Sequence, residues 1–317
     1  MLRVPRPLGL LLIALLLAAV FVLTLPRTSY WQRALQDAGH GAVFAGIAVV
    51  LLAMRSPRAM SAYRPFRDYG FAFAIAVALG IGTELLQHYL PHRQVSIGDA
   101  LHDAAGAAFG LAMVALQERR ATAGAALRLA AVIGLAALAI LVWEPLRCAR
   151  AYAERFGAFP TLAPMGASAD AQFMAARDAR LSHAPVPAQW RASGDAPALR
   201  LEFEPGARPA LELAEAAPDW RGHSVLALDV TNPAGQPARF ILRVLDRHHD
   251  WSHEDRLNLP LTIPPNTRTT VRVSLVALAE APARRDMDLS AIADVMLFAT
   301  GPLPGREFYV SRVWLEE

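Results

Sequence analysis

The stretch ELLQHYLPHRQVSIGDALHDAAG, residues 84–106, sets one glutamate, two aspartates, one arginine and three histidines between two apolar runs. The run that follows, DALHDAAGAAFGLAMVALQ, decides the fold's sidedness: if it failed to cross a bilayer, everything beyond it would change sides. A bilayer core about 30 Å thick needs roughly 20 apolar residues as helix. Five runs meet or approach that length, at about 7–25, 38–54, 70–90, 99–117 and 127–145. The first follows Arg3 and Arg6, but TLPRTSYW lacks an A-x-A cleavage site, so it reads as an uncleaved anchor.

Composition divides the chain in two. Of 317 residues, 54% are hydrophobic and 19% charged, yet up to about residue 146 the sequence is long apolar runs, whereas from about 195 it alternates apolar and polar residues in short segments. A membrane part followed by a water-exposed part accounts for the change. All 31 basic residues are arginine, and in the first half most sit in short loops where topology explains them, so nucleic acid is not expected as a partner. Cys148 is the only cysteine, which rules out an intrachain disulfide.

Arginine placement also sets orientation. Arg3, Arg6, Arg55, Arg58, Arg64, Arg67, Arg119, Arg120 and Arg128 fall on one side; Arg27, Arg33 and Arg93 fall on the other, followed by Arg147, Arg150 and Arg155 after the last run. The bias predicts a cytoplasmic amino-terminal end and an extracytoplasmic carboxy-terminal half.

In that topology the 84–106 stretch is the outer end of span three, a loop and the outer start of span four. Asp99, Asp103, Gly106 and Gly110 share one helical stripe, Gly80, Glu84 and Gln87 form a second, and Asp37 and His40 lie one turn apart at the entrance of span two. An ionised carboxylate at this depth is costly unless paired or wetted, which makes these acids candidates for function. The competing account is structural: Arg93 neutralises Glu84 or Asp99, and the glycines let helices approach. Imidazole and carboxylate at His40, Glu84, Asp99 and Asp103 suit zinc or manganese, but H-x-x-E-H type spacing is missing and no metal is expected. The sequence names no cofactor.

At these residues the chain resembles the VanZ-like family, named for a teicoplanin-resistance protein. The match is a histidine opening a span, His40 in DAGHGAVF; then E-x-x-Q and a loop arginine, Glu84, Gln87 and Arg93; then S-x-x-D and a small-residue helix, Ser96, Asp99, Gly106 and Gly110. It covers about residues 30–117, and where the family usually has asparagine this chain has Asp103. The resemblance implies a VanZ-like transmembrane domain of the bacterial envelope, associated in some members with glycopeptide-antibiotic sensitivity. It brings no settled reaction.

The expected domains are a transmembrane domain at 1–146, a linker at 147–195 with one short helix, and a β-sandwich at 196–317. Prolines and mixed polarity mark the linker. Eight strand candidates follow: ALRLEFEP, PALELAEA, SVLALDVTN, ARFILRVLD, RLNLPLTI, TRTTVRVSL, DVMLFAT and REFYVSRVWLEE. Their number predicts a double-sheet jelly roll, so the fold class is an α-helical membrane domain of about five transmembrane helices followed by an all-β jelly-roll sandwich. Through DWRGHSVLALDVTNP, DRHHDWSHEDRLN and RRDMDLSAIADVMLF this half resembles the galactose-binding-like jelly rolls of carbohydrate-binding modules. The loop after ARFILRVLD gathers His248, His249, Asp250, Trp251, His253, Asp255 and Arg256. A flat aromatic face beside hydrogen-bonding groups suits a sugar, and the alternative is a solvated loop with structural ion pairs.

These readings give competing functions. One is a membrane protein of the bacterial cytoplasmic membrane that recognises an envelope glycan or lipid-linked glycan through an extracytoplasmic domain, with His249, Trp251, Asp255 and Arg256 as its contacts and Gln87, Arg93, Ser96 and Asp103 on the head group of a membrane lipid. Another is an acid/base enzyme acting on such a lipid, with Glu84, Asp99 and His40 as catalytic candidates. A small transporter is the third, weakened by five spans without an inverted repeat.

Overall fold

The computed structural model describes residues 4–22, 29–55, 66–87, 97–118, 124–163, 170–217, 219–303 and 305–317. They fall into two compact units, Met1–Ala149 and Arg150–Glu317.

The apolar runs of the first unit form five helices: α1 (Arg6–Val22), α2 (Tyr30–Met54), α3 (Phe66–Gln87), α4 (Ile97–Glu118) and α5 (Ala125–Ala158), whose last residues belong to the second unit. Four of them, α2 to α5, are long and apolar enough to cross a membrane; α1, with 17 residues, is shorter. The Ser29 hydroxyl caps α2 by accepting the Gln32 N–H at 3.2 Å. Directions alternate: Arg55 after α2 pairs with Asp68 in the first turn of α3 at 2.9 Å, and the Tyr69 hydroxyl donates to Glu118 at the end of α4 at 2.8 Å. The opposite end of the bundle therefore collects the first half of α2, the end of α3 and the start of α4.

Helices α2 and α4 meet backbone to backbone. A Cβ on Gly106 would overlap the Gly41 carbonyl, and one on Gly110 would lie 2.7 Å from the Ala45 oxygen. The small-residue stripe of α4 is thus the contact surface that sets the spacing of these two helices.

The second unit contains, in order, β1 (Thr161–Ala163), α6 (Asp170–Phe173), β2 (Met174–Arg177), β3 (Arg180–Ala184), β4 (Ala198–Glu202), β5 (Ala210–Ala214), β6 (Val225–Asn232), β7 (Ala238–Asp246), β8 (Leu257–Ile263), β9 (Thr267–Ser274), α7 (Leu275–Ala279), β10 (Ile292–Ala299) and β11 (Glu307–Glu316). It is a two-sheet antiparallel sandwich. One sheet has the order β3-β4-β11-β6-β9 with β1 also on β11, and the other has the order β2-β5-β10-β7-β8. Strands β4 to β11 coincide with the eight segments expected from alternation. In β7, for example, Ala238, Phe240, Leu242 and Val244 turn inward while Arg239, Ile241 and Arg243 turn out. The Phe240 and Phe308 rings, with centroids 4.7 Å apart, join the two sheets. Trp220 is fully buried and its Nε1 donates to the Ala217 carbonyl at 2.6 Å, so its one polar atom is satisfied.

The linker expected at 147–195 is corrected here. α5 runs through to Ala158, and β1, β2 and β3 pair within the sandwich, with Leu162 and Phe173 buried. These strands are three to five residues long, too short for alternation to register in the sequence.

Candidate functional site

Two places gather the expected residues, one in each unit. In the helical unit, His40 of α2, Glu84 of α3 and Asp103 of α4 converge at the end of the bundle away from Arg55. All three are buried, and one donor atom from each lies within 4.8 Å of the others. His40 Nδ1 is 3.5 Å from Asp103 Oδ1. Glycine makes the approach feasible: a Cβ on Gly80 would stand 2.9 Å from Asp103 Oδ2, so α3 has no side chain where Asp103 rests.

The grouping differs from the expected one. Asp103, expected as a substrate contact, joins His40 and Glu84, whereas Asp99 sits one turn earlier in the first turn of α4, partly exposed and outside the group. His102 Nδ1 lies 2.9 Å from the Gly98 carbonyl, which ties the ring to its own helix. Arg93 and Ser96 fall outside the described residues, and so does the side chain of Gln87.

In the sandwich, the loop after β7 is organised by Asp246. Its carboxylate is completely buried and accepts from Arg285 at 2.5 and 2.8 Å, from the His248 N–H at 3.0 Å and from the Asp288 N–H at 2.8 Å. Burial alone would push its pKa up; the Arg285 guanidinium and these backbone donors outweigh burial and hold it below the ordinary aspartate range. Arg285 also donates to Asp255 at 2.6 Å, and Asp255 in turn accepts the Asp250 N–H at 2.8 Å. Asp255 thus helps to hold the loop.

Trp251 is presented. Its side chain belongs to a residue 76% exposed, in left-handed backbone at φ 68°, while Asp250 Oδ1 reaches across it to accept the Ser252 N–H at 2.8 Å. The His249 ring stands edge-on to the indole with centroids 4.3 Å apart, and its Nδ1 is 2.8 Å from the Asp246 carbonyl. Beside them lies a cleft of about 240 Å³ lined by His248, Asp250, Ser252, Glu254, Asp255, Arg284 and Arg285. Arg256 is partly buried, and its Nε has no hydrogen bond among the described residues.

A further surface was not anticipated from the sequence. Across the outer face of the five-stranded sheet, Ala175, Glu212, Met296, Arg243 and Asn258 form one cross-strand row, with Phe298 and Ile241 in the next. Arg243 lies over the Phe298 ring at 4.6 Å and donates to Asn258 at 2.9 Å. Burial raises the pKa of Glu212 and of Asp294, and Asp294 adds its charge to the effect on Glu212. The polar residues interrupting ARFILRVLD and PALELAEA were the available signal, but only strand register shows that they share a row.

No family model matches the chain, and no curated protein matches it. Solved structures do. An exo-beta-agarase is 15% identical with a TM-score of 0.37, covering 45% of this chain and 23% of its own. The family 11 carbohydrate-binding module of Clostridium thermocellum, solved with a beta-1,3-1,4-mixed-linked tetrasaccharide, is 11% identical with a TM-score of 0.34, covering 45% of this chain and 88% of its own. A xylan-binding domain of family 22 is 11% identical with a TM-score of 0.32, covering 49% and 92%. This chain spans about a quarter of the agarases' length, and the description of its fold rests on the strand pairing above.

Proposed function

We propose that this is an integral membrane protein of the bacterial cytoplasmic membrane whose extracytoplasmic sandwich recognises an envelope glycan or lipid-linked glycan head group. Trp251 carries the reading. A bulky residue in left-handed backbone is a strained exception, and here the strain exposes an indole beside a polar cleft. An aromatic face next to donors and acceptors suits the C–H faces and hydroxyls of a sugar. The arginine bias and the VanZ-like resemblance support the membrane setting and the link to glycopeptide sensitivity. The meeting of His40, Glu84 and Asp103 favours a second reading, an acid/base enzyme for a lipid-linked substrate, since carboxylates sheltered from water suit proton transfer.

The test is Trp251→Gly in the full chain, assayed for retention on isolated cell-wall glycan alongside the melting temperature. Retention should be lost while stability stays level or rises, because glycine adopts positive φ without the penalty of about 1–2 kcal/mol borne by other residues. A fall in stability would make Trp251 scaffold. Unchanged retention, with loss instead in Phe298→Ala, would move the site to the open sheet face.

A further inference from the structure

We infer that His40, Glu84 and Asp103 bind a single divalent cation of the zinc or manganese class. Asp103 is the strongest indication. It is 1% exposed, and among the described residues neither of its oxygens accepts a hydrogen bond. His40 Nδ1, though 3.5 Å away, lacks hydrogen-bond geometry towards it. The buried carboxylate of Asp246, by contrast, accepts four hydrogen bonds. Here an imidazole and two carboxylates bring one donor atom each within 4.8 Å of one another in a buried space.

The dimensions suit an ion. An ion centred in a triangle with 4.8 Å sides would lie about 2.8 Å from each donor, against about 2.0–2.2 Å in a formed zinc site, so closure needs shifts below about 1 Å. Charge suits it as well. Two carboxylates and a neutral imidazole match the charge of a divalent ion. The donor set narrows the choice: imidazole with carboxylate favours zinc or manganese, while calcium takes six to eight oxygens and copper(I) prefers sulfur. Gln36, one turn before His40 on α2, adds another buried oxygen without a hydrogen bond among the described residues. With three protein donors the ion keeps an open position, the arrangement that marks reactive rather than structural zinc.

The experiment uses the full chain, purified in detergent through a tag without histidine, loaded with zinc or manganese chloride, dialysed and analysed by mass spectrometry for metal. Wild type should retain about one metal per chain and melt higher when loaded. Asp103→Asn and His40→Gln keep a side chain of similar size but replace a metal donor, and each should retain at least about tenfold less metal and lose the metal-dependent shift. His102→Gln, a nearby histidine tied to its own helix, should retain as much as wild type. Metal-free wild type after loading, or equal retention by Asp103→Asn, would overturn the inference. A metal-dependent rise in melting temperature that Asp103→Asn keeps in full would likewise overturn it. Metal content is independent of glycan retention, so failure here leaves the reading of Trp251 untouched.

Discussion

Arg285→Ala is the sharpest perturbation of the sandwich because it separates a buried charge from its partner without touching the hydrophobic core. Asp246 keeps two backbone donors but loses both guanidinium contacts, at 2.5 and 2.8 Å. Removing one partner of a buried pair costs roughly 3–5 kcal/mol, and the two surviving donors place this case near the lower end, about 3 kcal/mol. In a unit of this size each kcal/mol moves the melting temperature by about 2–4 °C, so a drop of roughly 6–12 °C is expected at pH 7. The pH dependence fixes the sign. In wild type the folded-state pKa of Asp246 is depressed, so its contribution is present above the unfolded aspartate value, about 4, and is lost as pH falls through the folded value. Without Arg285, burial dominates and the folded variant takes up a proton more readily than the unfolded chain, which stabilises it in acid. The gap between the two proteins should therefore narrow as pH falls from 7 towards 4, measured by thermal unfolding at each pH. A loss under about 1 kcal/mol at pH 7, or a gap that widens in acid, would refute this account of the network.

Two further outcomes follow from packing. Gly106→Ala should lower the melting temperature of the detergent-solubilised chain, by an overpacking cost of about 1–3 kcal/mol, because its Cβ has no room against Gly41; Gly39→Ala, with nothing within 4 Å, should be neutral or slightly stabilising. Residues 150–317 expressed alone should unfold in one cooperative transition, whereas 190–317 lacks β1, β2, β3 and the buried Leu162 and should not; matching melting curves for the two fragments would show those strands to be dispensable.

The legible part of this protein is the part written in local pattern. Hydropathy marked the helices, and period-two alternation marked strands such as β5 and β7, which bury one face. Strands β1 to β3 escaped because, at three to five residues each, they are too short for alternation to register. Tertiary contact, not local pattern, also decides the cluster in the helical unit. Spacing along α4 put Asp99 and Asp103 on one stripe but could not say which of them faces His40, since that depends on how deeply Gly106 seats against Gly41. Likewise the histidine-rich loop was visible as composition, yet the division of labour within it was not. Asp255 is taken by Arg285, more than one strand away in sequence, and Trp251 is left facing water.

The position of β11 has a consequence for how the sandwich is made. It is the last strand in chain order, yet it lies inside its sheet, with β6 along one edge and β4 and β1 sharing the other. Nothing synthesised before about residue 307 can complete that sheet. For a sandwich exported as proposed above, that order keeps the domain unfolded while it passes through a translocation channel. The penalty falls afterwards: Thr161 must find Trp314, a distant pairing of the kind that slows folding, and until it does the edges of β4 and β6 stand open to neighbouring chains.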